Sequence, residues 1–348
     1  MSKFQNMGTF DAGTVGGAAR SGRANPGIMT LDEAGIASGG AFLRSELEKR
    51  DPLIRKPLTS FTYPRDINIS TGGGWVDAIS AQSVGYGVTG GSGDGPVGSG
   101  GASGVPIVSA NVDNGIYKAH VFQVALRVMF VDMQKANYIG RSLDSLLADG
   151  VRLTYDKHQD QNVYMGLARY GTTGILNNPD AAETMVAGNG GTASSTRWKD
   201  KTPAQILADV NDAIIANWAA ADYDETAMPN HILLPYEQYA YILNTPVTEL
   251  AAETILDYIM KNNVSAKNGG SLYIGATRWC KGAGTGGTDR MAVYVNHERF
   301  LSVEELVPLS RVMTTPNAAE ACYDTAYMAN LSEVEVFYPQ TIAYYDGI

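Results

Sequence analysis

Few side chains in this sequence stand at spacings that do chemistry. Its four histidines, His120, His158, His231 and His297, are far apart, and none has a second ligand at the short spacing of a metal site. His297-Glu298 begins like a zinc-protease helix motif but lacks the second histidine. Cys280 and Cys322 form no Cys-x-x-Cys pair, which a redox or zinc role would need. Gly93-Asp94-Gly95-Pro96-Val97-Gly98 matches the dinucleotide fingerprint letter for letter. That fingerprint works where a strand ends and a helix opens, with the helix N-terminus facing the pyrophosphate. Here proline and more glycine surround it, which reads as a flexible tip. Gly282 to Thr288 is glycine-rich like a phosphate loop, but no lysine follows its last glycine. Asp222, Asp224 and Glu225 lack the glycine and terminal glutamate of a calcium loop, so a solvated turn accounts for them. There is no Gly-x-Ser-x-Gly nucleophile elbow. The reading is of a chain with no catalytic, cofactor-binding or metal-ligating residue, and not of an enzyme.

Composition points the same way. The chain has 348 residues, 44% apolar and only 18% charged, with 39 glycines. An ordinary soluble domain carries roughly 25% charge, so this one has fewer solvated faces, as a loop- and strand-rich chain or one covered by partners would. The 26 basic and 36 acidic residues leave a net charge of −10. A tight nucleic-acid binder clusters lysine and arginine to displace counterions from phosphates, and no such cluster stands out. Two cysteines suit a reducing cytoplasm. No apolar run approaches the roughly 20 residues that span a bilayer, and Met1 to Gly40 contains no signal-length apolar stretch. The expectation is a soluble product made in the cytoplasm.

The elements that would position any site follow from periodicity. Residues 1–58 show no period, and 1–50 holds six basic and five acidic residues. This is a disordered tail, or an arm that orders by lying across a neighbour, with a short helix from Arg44 to Arg50 before Pro52. Val84, Tyr86 and Val88 alternate with small residues, and Phe122, Val124, Leu126, Val128 and Phe130 alternate again. Between them eight of the fifteen residues from Gly90 to Gly104 are glycine, and Asp94 is the only charge. We read a long hairpin with a flexible tip. A two-stranded hairpin is marginal alone in water, so it needs a surface to lie on. Ile139, Leu143, Leu146, Leu147 and Val151 form one helical stripe, extending the helix from about Gln134 to Met165, roughly 45 Å at 1.5 Å per residue. Thr202-Pro203-Ala204-Gln205 is a capped helix start, with Ile206, Leu207, Val210, Ile214 and Trp218 on its buried face. Strands are expected at His231 to Leu234, Leu272 to Ile274 and Met291 to Val295. Helices are expected from Pro235 to Leu243 and from Thr245-Pro246 to about Asn262. From Phe300 onward the chain is mostly β, with alternation at Glu333 to Phe337. The class is α+β.

This order of arm, long hairpin, long helix, glycine-rich loop and α+β block resembles the Hong Kong 97-type capsid fold of tailed phages, which encapsulin shells share. Phe61-Thr-Tyr-Pro-Arg-Asp-Ile-Asn-Ile-Ser-Thr-Gly-Gly-Gly74-Trp75 is similar to the start of the hairpin in one divergent group of phage major capsid proteins. Gly166-Leu-Ala-Arg-Tyr-Gly171 with Gly174-Ile-Leu-Asn177 is similar to the exit of their spine helix. The resemblance implies an N-terminal arm at 1–58, an extended loop at 59–130 and a peripheral domain with the spine helix at 131–202. It further implies an axial domain at 203–299 and a return to the peripheral β-sheet at 300–348.

The function implied is a major capsid protein that self-assembles, as pentamers and hexamers joined by arm and extended-loop contacts, into an icosahedral shell around double-stranded DNA. Partners implied are the portal, with scaffold or decoration proteins, and packaged DNA touched weakly and non-specifically, but no membrane. The place is the virion capsid, assembled in the host bacterial cytoplasm. Alternatives are an encapsulin-type compartment and another virion structural protein. Some members of the fold crosslink a loop lysine to an asparagine of another subunit. No lysine or arginine occurs from Ile67 to Tyr117, so a non-covalent shell is expected.

Overall fold

The alternating runs and helical stripes of the sequence take definite partners in a computed structural model, which describes residues 61–89, 107–139, 143–191, 194–248 and 253–348. The arm at 1–58, including the Arg44 to Arg50 helix, and the tip from Gly90 to Gly104 lie outside the described residues.

Helix α1 (Tyr63–Asp66) has Pro64 in its first turn and leads to β1 (Ile69–Thr71). Strands β2 (Ala78–Thr89) and β3 (Ile107–Met129) pair antiparallel from Ala78 opposite Lys118 to Thr89 opposite Ile107. The rest of β3, from Ala119 to Met129, pairs with a later strand, β9 (Cys322–Ser332). The expected return strand from Phe122 onward is therefore not the partner of Val84 and Tyr86, which face Val112 and Ala110. β3 outruns β2, so one strand serves two pairings. Phe130 leaves the strand and opens helix α2 (Phe130–Ile139).

Of the helix expected from about Gln134 to Met165, the structure describes the part within α2 and α3 (Leu143–Met165), with 140–142 outside the described residues. At 1.5 Å per residue α3 is roughly 34 Å long. Its burial deepens toward its C-terminal end, from exposed Leu146 to Val151, Tyr155, Val163 and Tyr164 inside. The exit loop then folds back, with Ile175 N donating to Val163 O at 2.8 Å and Leu176 N to Tyr164 O at 3.0 Å. Gly174 is required there, because a Cβ would stand 2.4 Å from the Tyr164 carbonyl carbon.

Strand β4 (Ala182–Met185) precedes α4 (Pro203–Ala220), whose predicted capping box is formed by Thr202 and Gln205 in both directions. Ile206, Val210 and Ile214 are buried as expected, joined by Ala213 and Asn217, while Leu207 and Trp218 are half-buried. β5 (His231–Leu234), α5 (Tyr236–Asn244), α6 (Ile255–Asn262), α7 (Val264–Lys267), β6 (Tyr273–Ala276) and β7 (Arg290–Tyr294) follow. The helix expected from Thr245-Pro246 begins instead at Ile255, because Thr254 caps it by accepting from Asp257 N. β8 (Leu301–Asn317), β9, β10 (Glu335–Val336) and β11 (Ile342–Asp346) close the chain. The alternation at Glu333 to Phe337 makes only the two-residue β10.

Two sheets result. The first runs β1-β8-β9-β3-β2 with β10 on β8, and the second runs β4-β11-β7-β5-β6. Within 300–348, β8 to β10 join the hairpin's sheet. β11 crosses to the sheet of β5 to β7, pairing β7 antiparallel and β4 parallel. Both faces of the second sheet are covered, so β7 is buried throughout, as a near-continuous apolar run implies. Ile232, Leu234, Met291 and Val293 face α4 to α6. Leu233, Ala292, Tyr294 and Tyr344 face the end of α3, the 175–176 turn and the first sheet.

Three buried charge clusters are paired. Arg290 donates to Asp346 at 2.8 and 2.9 Å, to Glu183 at 2.5 Å and to Leu176 O at 2.7 Å, tying β7, β11, β4 and the exit loop together. Asp160 on α3 accepts from Arg278, the Trp279 indole and Thr62 N. Lys201 and the Trp198 indole both donate to Asp209 Oδ2, at 2.5 and 3.0 Å. Burial pushes the Asp209 carboxyl up, and the Lys201 ammonium works against that rise. Removing one partner strands the other charge in the core. Lys201→Met is therefore expected to cost about 3 kcal/mol in urea unfolding, with much of it recovered by adding Asp209→Leu.

Candidate assembly surface

The residues screened for chemistry scatter through the fold. Cys280 and Cys322 are separate, buried free thiols, and burial raises the Cys280 thiol far above its usual range. Asp224 accepts from Thr226 N and Oγ1, both at 2.8 Å, capping a single turn. In the 282–288 loop, Thr285 N donates to Asp346 at 2.8 Å and Gly284 N to Thr288 O at 2.8 Å, so the amides that would cradle a phosphate are already bonded within the chain. Gly93 to Gly98 lies outside the described residues. His231 rests among Asn230, Asn296 and Tyr273, and His297 receives Arg299 N in a tight turn.

The fold brings together one pair that the sequence kept 38 positions apart: His120 on β3 and His158 on α3, with Nε2 atoms 3.3 Å apart. Tyr170 stacks on His120, and Phe122 lies against His158. Two imidazoles are too few for a metal centre, and no group of three metal-ligating side chains occurs among the described residues. Lys118 sits beside the pair, its ammonium on Tyr170 O and Gly171 O. These contacts fasten the root of the hairpin to the helix that supports it. The root has further ties. Tyr117 donates to Val336 O at 2.7 Å and meets Phe337 edge-on, and Lys118 N donates to Glu333 at 2.7 Å.

Beyond this root the hairpin is bare. Residues directly opposite in an antiparallel pair share a face, so Val84, Tyr86, Val108, Val112 and Ile116 lie on one side of the ribbon. All are exposed, Tyr86 at 78% and Ile116 at 72%. The other side carries Ser83, Gly85, Gly87, Ser109, Asn111 and Gly115. By strand alternation the apolar side is the same side of β3 that bears Phe122 and Leu126. There α3 covers it, with Phe122 edge-on to Tyr155 at 5.5 Å. Past His120 no described residue covers it. A second exposed apolar group, Met129, Phe130, Val131, Met313 and Tyr323, gathers at the opposite end of the first sheet. Sequence reasoning found the hairpin but not its one-sided face, because the register with 107–118 decides which side chains share a side.

A chain with this layout, an apolar ribbon without a cover and a doubly covered second sheet, is built to meet other chains. The sequence model of the major capsid protein family matches residues 95–348. The chain belongs to that family. It is a shell-forming capsid protein, and its α+β fold is the expected Hong Kong 97 type. The fold is similar to the capsid of Myoviridae phage XM1, with a TM-score of 0.71 at 15% identity over 88% of this chain and 98% of that one. It is also similar to the capsid of a native GTA particle (TM-score 0.58, 12% identity, 91% and 99% covered). Mycobacterium phage Bobi gives a TM-score of 0.56 at 11% identity with 91% and 99% covered. No curated protein matches the sequence.

Two buried groups near the hairpin root give this capsid subunit a pH response of opposite signs. His120 is held down to about 4, by burial first and by His158 second, and burial also lowers His158. An unfolded histidine titrates near 6.5, well above the folded His120, so the unfolded chain takes up protons that the folded pair refuses. Stability from the neutral pair is complete above about pH 6.5 and falls as pH drops toward 4. Glu335 on β10 is pushed up to about 7, by burial first and then by Glu304, and its Oε1 has no hydrogen-bond partner among the described residues. Its stabilising contribution is complete below the unfolded value near 4.5 and is lost as pH rises through about 7. Thermal melts are expected to show Glu335→Gln gaining on the wild type from about pH 5 to 8, and His120→Phe gaining on it as pH falls from about 7 to 4.5.

Proposed function

We propose that this chain forms the icosahedral shell that encloses the double-stranded DNA genome of a tailed phage. The observation that carries the reading is the hairpin's bare apolar face, which continues a face that α3 covers lower on the same strand. Exposed apolar side chains on an ordered ribbon need a cover, and another copy can supply it at every position of a closed ring. Each such contact is modest, and many act together once the shell closes.

In this reading 1–58 is the arm, 59–130 the extended loop, 131–202 the peripheral domain with its spine helix, 203–299 the axial domain, and 300–348 the return. Rings of five and six copies assemble in the bacterial cytoplasm, with a portal and with scaffold or decoration proteins. The net charge of −10 suits a wall that touches packaged DNA weakly and lets it move. No described helix is long and apolar enough to cross a membrane. The function is distributed over contacts between copies, and no catalysis is assigned. The 67–117 stretch contains no lysine or arginine, so the shell closes without a loop-lysine crosslink.

Electron microscopy of the expressed full chain is expected to show closed shells or rings of five and six; a monomer at high concentration would refute the proposal. Val112→Asp with Ile116→Asp is expected to leave subunit melting unchanged and to abolish particles, because both side chains are exposed in the subunit. Mature particles boiled in denaturant are expected to run as single chains, without a ladder.

A further inference from the structure

The loop joining β1 to β2 contains Gly72-Gly73-Gly74-Trp75, and it is held more firmly than a connection needs. The three glycines have φ of 135, 113 and 79°, and a Cβ on Gly73 would stand 2.5 Å from Leu306. Gly72 N donates to Glu305 O at 3.2 Å and Gly74 N to Leu306 O at 3.1 Å. Val76 N returns to Gly74 O at 3.1 Å, placing Trp75 at the apex of a tight turn. Asn330 on β9, 1% exposed, donates its amide to Gly74 O at 3.1 Å and to Val76 O at 2.9 Å. On this fixed loop Trp75 is 55% exposed, flanked by exposed Val76.

A tryptophan packed inside the subunit would explain such a mount, but this one points outward. An exposed aromatic whose backbone is already ordered loses little entropy when a partner covers it, which is the character of an interface hot spot. Its location says which partner. Asn330 lies opposite Val121 in the β3–β9 pair, so its side chain and the loop it holds are on the side of the first sheet away from Phe122 and α3. The hairpin's bare apolar face is on the α3 side. One chain cannot lay the first patch on the second. Two copies can, each offering its hairpin to the next, and a contact between two different patches generates rings when the rotation closes.

We propose that Trp75 is the anchor on which the apolar hairpin face of a second copy of this chain seats. This rests on the shell reading above and names the residue that receives the hairpin. The mount is then a device of assembly, presenting the indole in one pose before the neighbour arrives.

Acrylamide quenching of tryptophan fluorescence in full-length chains, as unassembled subunits and as particles, tests it. Trp198 is fully buried and Trp218 and Trp279 are partly buried, so subtracting the Trp75→Phe signal isolates Trp75. Its quenching is expected to fall several-fold on assembly; equal quenching in subunits and particles overturns the proposal. Trp75→Ala is expected to leave subunit melting unchanged and to raise the concentration needed for assembly by roughly tenfold or more, with Trp75→Phe intermediate. Unchanged assembly in Trp75→Ala also overturns it. Particles co-assembled from Trp75→Cys and Val112→Cys chains, treated with a short bismaleimide, are expected to give a mixed dimer; no mixed dimer rules out the hairpin as occupant. The native cysteines are buried and give little background. Failure of the wild type to form particles would instead refute the shell reading.

Discussion

β3 is one continuous strand with two partners, and the rest of the structure is arranged around that fact. Its 23 residues extend roughly 75 Å at about 3.3 Å each. The half that pairs β9 belongs to a sheet with a helix on one face, and the half that pairs β2 projects past that helix. Side chains keep alternating along the whole length, so the apolar side that is core near Phe122 becomes surface near Ile116. An apolar face that begins covered and ends uncovered is stable only if something continues the cover. In the shell proposed above, other copies supply that cover.

Such a ribbon can project only from a base that does not yield. Arg290 with Asp346 and Glu183 locks the second sheet to the exit loop of α3. Asp160, buried on α3, gathers Arg278 and Trp279 from one segment and the Thr62 backbone from another. Asp66 joins Arg65 and the Tyr164 hydroxyl at the foot of the chain leading to the hairpin. In each cluster at least one charge is buried (Arg290 with Asp346, Asp160, Asp66) and is paired, so removing its partner is costly in a way that losing a surface ion pair is not. The base is rigid for reasons of charge satisfaction as well as apolar packing.

The hairpin root is less settled electrostatically. The His120–His158 pair resists protonation, while Glu335 resists ionisation, and both lie among residues that hold the root in place. Their opposing slopes overlap below neutral pH, so a flat response of the wild type would conceal two balanced sensitivities. Tyr117 and Lys118, bonded to β10 and to the 170–171 turn, tie these groups to the strand that leaves the sheet.

Much of this was legible in the residues alone. Alternation marked β2 and the lower part of β3, three- and four-residue spacing marked the spine helix, and Thr202 with Gln205 marked the start of α4. Local pattern could not say that Phe122 to Val128 pairs with β9 or that β11 joins the second sheet, because strand pairing depends on residues distant in the chain. His120 and His158 met for the same reason. The sequence by itself determined which segments are strand, helix or glycine-rich tip, because those choices follow from periodicity within a few residues. Only the tertiary structure decided which face of the hairpin is left without a cover, because that depends on register, and a shift of one residue would turn every apolar side chain to the other side.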